Sequence, residues 1–93
     1  MAIGLSTLVK HSTDQVSCNL NSEVVVLNLK STLYFGLDEV GACIWNSLRD
    51  PKRVSDICRI VMDRFEVKEE QCRADVLDFL GNLDKAGLIQ RIP

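Results

Sequence analysis

The sequence has no apolar run approaching the roughly 20 residues that would cross a bilayer, and neither charge dominates it. Eleven Lys and Arg stand against thirteen Asp and Glu, a net charge of −2. The first absence excludes a helical membrane span. The second leaves no strong field to gather nucleic acid or anionic lipid. Histidine occurs once, at His11, and the four cysteines, Cys18, Cys43, Cys58 and Cys72, include no C-x-x-C pair. A zinc site needs clustered ligands, so the expectation is four thiols packed as small hydrophobes, with no metal and no cofactor. The opening MAIGLSTLVKH is too short and too polar for the apolar core of a signal peptide, which points to a cytoplasmic setting. Catalysis also has little to work with. There is no glycine-rich phosphate loop, no nucleophile paired with a base, and the neighbours of Asp75 and Asp78 are polar, so these acids read as solvated surface. No enzymatic role is expected.

What remains is the material of one small folded domain: 93 residues, 46% apolar and 26% charged. Residues 1–13 show no clear period and read as a loose arm that either adds a strand or stays disordered, with the domain proper over residues 14–93. The densest stretch is Glu23 to Leu48. Val24, Val25, Val26 and Leu27 run without alternation, as in a strand covered on both faces or central in a sheet. Before it, Val16, Cys18 and Leu20 alternate with Ser17 and Asn19 as a half-buried strand. After it, Lys30-Ser31-Thr32 reads as a reversal, and Leu33, Phe35 and Leu37 alternate with Tyr34 and Gly36 as a third strand. Short turns between consecutive strands predict an antiparallel meander with the valine-rich strand in the middle.

Three helices follow. Asp38 is a natural N-cap for the first, in which Val40, Ile44 and Leu48 form a stripe flanked by Trp45. Asp50-Pro51 ends it. The second runs from Val54 to about Arg64 on a broad face of Val54, Ile57, Cys58, Val61 and Phe65, and its basic group, Lys52, Arg53, Arg59 and Arg64, reads as a solvated face. The third starts near Lys68 or Glu69, with acids complementing the positive end of its dipole, and stops at Gly87, which can take the left-handed terminal position. Cys72, Val76, Phe79, Leu80, Leu83 and Ala86 make its core stripe, and Leu77 falls outside it. Three strands and three helices form an α+β domain of the winged helix-turn-helix kind.

That architecture admits DNA binding, but Glu66 to Asp84, spanning the would-be recognition helix, carries two cations against six carboxylates, a balance that repels phosphate. A winged-helix regulator is therefore the alternative reading, and no nucleic-acid or membrane partner is expected. The more informative feature is the third strand. An edge strand offers unpaired amides and carbonyls to another extended chain unless charge, proline or a bulge blunts it, and Leu33 to Gly36 has none of these. A peptide can add there as a further strand; cover by the N-terminal arm or a second copy is the competing possibility.

The ordered set E-V-V-V-L-N at Glu23 to Asn28, L-Y-F-G-L at Leu33 to Leu37, V-G-A-C-I-W at Val40 to Trp45, V-S-D-I at Val54 to Ile57, Q-C-R-A-D-V-L-D-F-L-G-N-L at Gln71 to Leu83 and G-L-I at Gly87 to Ile89 resembles the PqqD-like peptide chaperones, also termed RiPP precursor peptide recognition elements. The resemblance covers about residues 15 to 90 and is greatest to stand-alone members from lasso-peptide clusters. It implies non-catalytic binding of the leader segment of a ribosomally made precursor peptide, laid as an added strand on the third strand beside the third helix. The implied groove is walled by Leu33, Tyr34 and Phe35 and by Arg73, Val76, Leu77 and Leu80. The implied partners are the precursor leader, a leader-cleaving protease and an ATP-dependent macrocyclase.

Overall fold

The structure is a computed structural model that describes residues 3–93. Its order is β1 (Leu8–His11), β2 (Gln15–Leu20), β3 (Glu23–Asn28), β4 (Tyr34–Leu37), α1 (Glu39–Ser47), β5 (Lys52–Arg53), α2 (Val54–Arg64), α3 (Glu69–Lys85) and β6 (Ile89–Ile92). The expected meander is present as an antiparallel sheet in the order β2-β3-β4, with Val24 opposite Leu37 and Val26 opposite Phe35. Alternation then sorts the side chains. Val24 and Val26, both without exposure, face the helices, whereas Val25 and Leu27 point outward and are only half-buried.

At the N-terminal arm the structure takes the strand alternative. Met1 and Ala2 of that arm lie outside the described residues, but Leu8–His11 is the central strand of a second sheet, β5-β1-β6, with fully buried Val9. Its main partner, β6, lies some eighty positions away, so no local period announces it. The arm also completes α2. Arg53 makes no side-chain cap there, and the unpaired first-turn amides of Val54 and Ser55 donate instead to Thr7 and Leu5 carbonyls at 3.0 and 2.9 Å.

Two further expectations change. β2 is not half-buried: Val16, Cys18 and Leu20 are all exposed, because they sit on the outer sheet face, where nothing packs. Cys18 therefore leaves the set of core thiols, and Cys43, Cys58 and Cys72 remain in it. Val40 is 40% exposed rather than part of a buried stripe, because the first turn of α1 projects past the core, while Gly41 through Trp45 are all buried behind it. The N-cap is as expected, with Asp38 accepting from the Gly41 amide at 2.8 Å. No helix in the described residues is long and apolar enough to cross a membrane.

Trp45 ties the two sheets together. It is 1% exposed, and His11 of β1 stacks on its indole at a centroid distance of 3.8 Å while Nε2 of the same imidazole donates to the Trp45 carbonyl at 2.8 Å. Burial pushes the His11 pKa below its usual 6.5; the hydrogen bond to the Trp45 carbonyl opposes this and the Arg49 charge adds to it. A depressed folded-state pKa contributes stability that is present above 6.5 and is lost as pH falls through the folded value. Wild-type melting temperature should therefore fall more between pH 7.5 and 5 than that of His11→Phe, which keeps the stack and does not titrate. Parallel pH profiles in thermal melts would contradict this.

Candidate functional site

Asn28 at the end of β3 shapes the site. Its side chain, 7% exposed, accepts from the Lys30 and Ser31 amides at 2.9 and 3.1 Å, closing the turn into β4 with Thr32 at φ 59°. Its amide nitrogen donates at 2.7 Å to the Ala86 carbonyl, at the C-terminal end of α3, where Gly87 takes φ 75°. One residue thus sets both the start of β4 and the end of the helix beside it. A Cβ on Gly87 would meet the Asn28 amide at 3.2 Å, so the left-handed turn and the close approach both require glycine.

The free edge follows from the register. The Asn28 amide donates to Leu33, so alternate residues of β4, Phe35 and Leu37, pair with β3, and the N–H and C=O groups of Tyr34 and Gly36 point away from it. β4 is the last strand of its sheet, and β2 ends the other side. Tyr34 is 73% exposed and Leu33 58%, while Phe35 turns inward toward the core. A Cβ on Gly36 would meet nothing within 4 Å, which leaves the strand open on its outer face.

On the helix side the structure regroups the expected wall. Val76 and Leu80 are core residues, 1% and 0% exposed, and Leu77 is half-buried against that core. Arg73 is ion-paired with Glu69 one turn back on the exposed surface. At about 100° per residue, Arg73 and Leu77 lie roughly 100° and 140° round from Cys72, on the side where Asp84 meets Arg91 of β6. The flank nearer β4 is the opposite one. It carries Ala86, held by Asn28, and Phe79, whose ring lies 3.1 Å from where a Cβ on Gly41 would stand. Arg73 and Leu77 thus lie on one side of the α3 core stripe, and Phe79 and Ala86 on the other. The periodicity separated core from surface on α3, but nothing local says which exposed flank a strand will lie against.

Just past the end of β4 is a cavity of about 540 Å³ between the start of α1, the end of α2 and the first half of α3. Ile44, Val61, Cys72, Val76 and Phe79 form its apolar floor, and Asp38, Glu66 and Asp75 stand among its lining residues. The Cys72 thiol donates to the Cys58 carbonyl. Burial raises both thiols, that of Cys58 to about 11, so neither is a ready nucleophile at neutral pH. Among the described residues no group of three or more His, Cys, Asp or Glu could hold a metal ion.

An α+β domain with an unblunted sheet edge beside a helix and an apolar cavity defines a class of protein that binds extended chains. The comparisons agree. A family model described as coenzyme PQQ synthesis protein D (PqqD) matches residues 23–89, and the chain belongs to the PqqD family. It is similar to the solved structure of TbiB1 in complex with the TbiA(β) leader peptide, at 36% identity over 87% of this chain and 94% of that one, with a TM-score of 0.83. Comparison with curated proteins finds no match.

Asn28→Asp tests the hinge of this site. It keeps the acceptors for the turn but sets an oxygen against the Ala86 carbonyl, leaving a buried acceptor unpaired. The expected loss is about 1–3 kcal/mol of unfolding free energy, read from denaturant titration; stability equal to wild type would show that the bond is dispensable.

Proposed function

We propose that the chain is a non-catalytic recognition element that binds the leader segment of a ribosomally made precursor peptide in lasso-peptide biosynthesis. The observation that carries this is the free edge of β4, with the backbone groups of Tyr34 and Gly36 directed outward on a fold similar to a protein solved with a leader peptide bound. Pairing along the edge supplies affinity, and side-chain contacts supply selection. We assign the wall opposite the edge to the α3 flank of Asp75, Phe79, Asn82 and Ala86. We keep Leu33, Tyr34 and Phe35 where the resemblance implied them, and assign this flank rather than Arg73 and Leu77 to face them.

The partners that follow from this reading are the leader-cleaving protease and an ATP-dependent macrocyclase, which act on a peptide presented by this chain. DNA regulation draws no support from the family or from the acidic third helix.

Gly36→Pro tests the edge directly. It deletes an outward N–H without touching the β3 ladder, a position where proline is tolerated in strands. With Gly36→Ala as control, titration calorimetry against the cognate leader peptide should show at least about a tenfold loss for proline and near wild-type binding for alanine. Equal affinity in a folded proline variant would place the peptide off β4.

A further inference from the structure

The lining of the cavity begins at Asp38, the residue that follows β4, whose edge we assign to the leader, and this inference rests on that assignment. A peptide paired along Tyr34 to Leu37 and continuing past Leu37 meets Asp38 and Val40 at the cavity's lining. We infer that the cavity is a selectivity pocket for one basic side chain of the bound peptide, a Lys or Arg lying just outside the added strand. Two features choose that chemistry. The floor is apolar, with Ile44, Val61 and Phe79 placed to cover a long aliphatic stem. The polar residues of the lining that carry charge are Asp38, Glu66 and Asp75, all acidic, with no Lys or Arg among them.

Three nearby cations lie outside the lining, and Lys68 borders a separate hollow with Glu69 and Glu70. Arg64 stacks over the Phe65 ring at 5.8 Å and lines a different hollow with Glu39, and Arg73 pairs with Glu69 on the other flank of α3. Asp75 accepts from Gln71 at 2.8 Å and Asp38 from the Gly41 amide, so both carboxylates are held in place by neutral donors that leave their charge intact. An apolar side chain would fill the floor and leave three carboxylates facing it; an acidic one would be repelled. A basic side chain satisfies both parts.

The experiment uses the full chain and a displayed library of random peptides, selected on the wild-type protein, followed by affinity measurements on one enriched peptide. Three proteins are compared: wild type, Gly36→Pro, and the double variant Glu66→Lys with Asp75→Lys, both of whose positions are exposed. Thermal melts establish that each is folded. Enriched peptides should share a Lys or Arg at a fixed distance from an apolar strand-forming run. Replacing that residue with uncharged norleucine should weaken binding about three- to fivefold, as expected for a partly exposed ion pair. The charge-reversed protein should lose about tenfold and regain affinity for a peptide carrying Glu at that position. Peptides that lose binding to Gly36→Pro but show no basic position, and bind the reversed protein equally well, would overturn the pocket while leaving the edge intact. Undiminished binding to Gly36→Pro would overturn the edge assignment and the pocket with it.

Discussion

The fold depends on a constraint held by Asn28. A buried amide must satisfy both its oxygen and its nitrogen, and here the oxygen closes the turn from β3 to β4 while the nitrogen holds the last turn of α3. The strand that ends the sheet and the helix that runs beside it are thereby fixed to the same side chain. Gly87 completes the arrangement because only a residue without Cβ lets the helix end approach so closely. A groove formed between two elements keeps its width only if something sets their separation, and this bond does so at one end; at the other, Phe79 against Gly41 does the same by contact.

Sheet alternation then divides the work. The inner face of β3 and β4 contributes Val24, Val26 and Leu37 to the core with Trp45, Ile57 and Leu80, and the outer face stays open. Because β4 pairs with β3 through Phe35 and Leu37, the backbone of Tyr34 and Gly36 is left for another chain. Stability and the proposed binding fall to alternate residues of one four-residue strand, so the edge can serve a partner without weakening the sheet. The second sheet, with β1 at its centre, lies away from that edge and supports it through the His11 and Trp45 stack.

Much of this was legible in the residues. Val24 to Leu27, the Lys30-Ser31-Thr32 reversal, Asp38 as cap, Asp50-Pro51 as terminator and Gly87 as helix end are local signals, and local hydrogen bonds and periodicity decide those features. For β1 the residues left strand and disorder open, and β6 was not legible, because a four-residue strand is stabilised by its distant partner rather than by its own pattern. β2 misled for a related reason: Val16, Cys18 and Leu20 alternate as a buried face would, but that face has no layer over it. At the site, the β4 edge could be read from the lack of charge and proline in Leu33 to Gly36. On α3 the periodicity could not tell the Leu77 flank from the Phe79 flank, since the neighbours of the latter, Asn28 and Gly41, are far off in sequence.

The central claim is that an extended peptide pairs with the outward backbone of β4. Residue-resolved amide hydrogen exchange, with and without saturating cognate leader peptide, tests it most directly. The account predicts new protection at the Tyr34 and Gly36 amides, with little change at Phe35 and Leu37, which already pair with β3. Protection gained instead at Ser17 and Asn19, on the far edge of the same sheet, would contradict it.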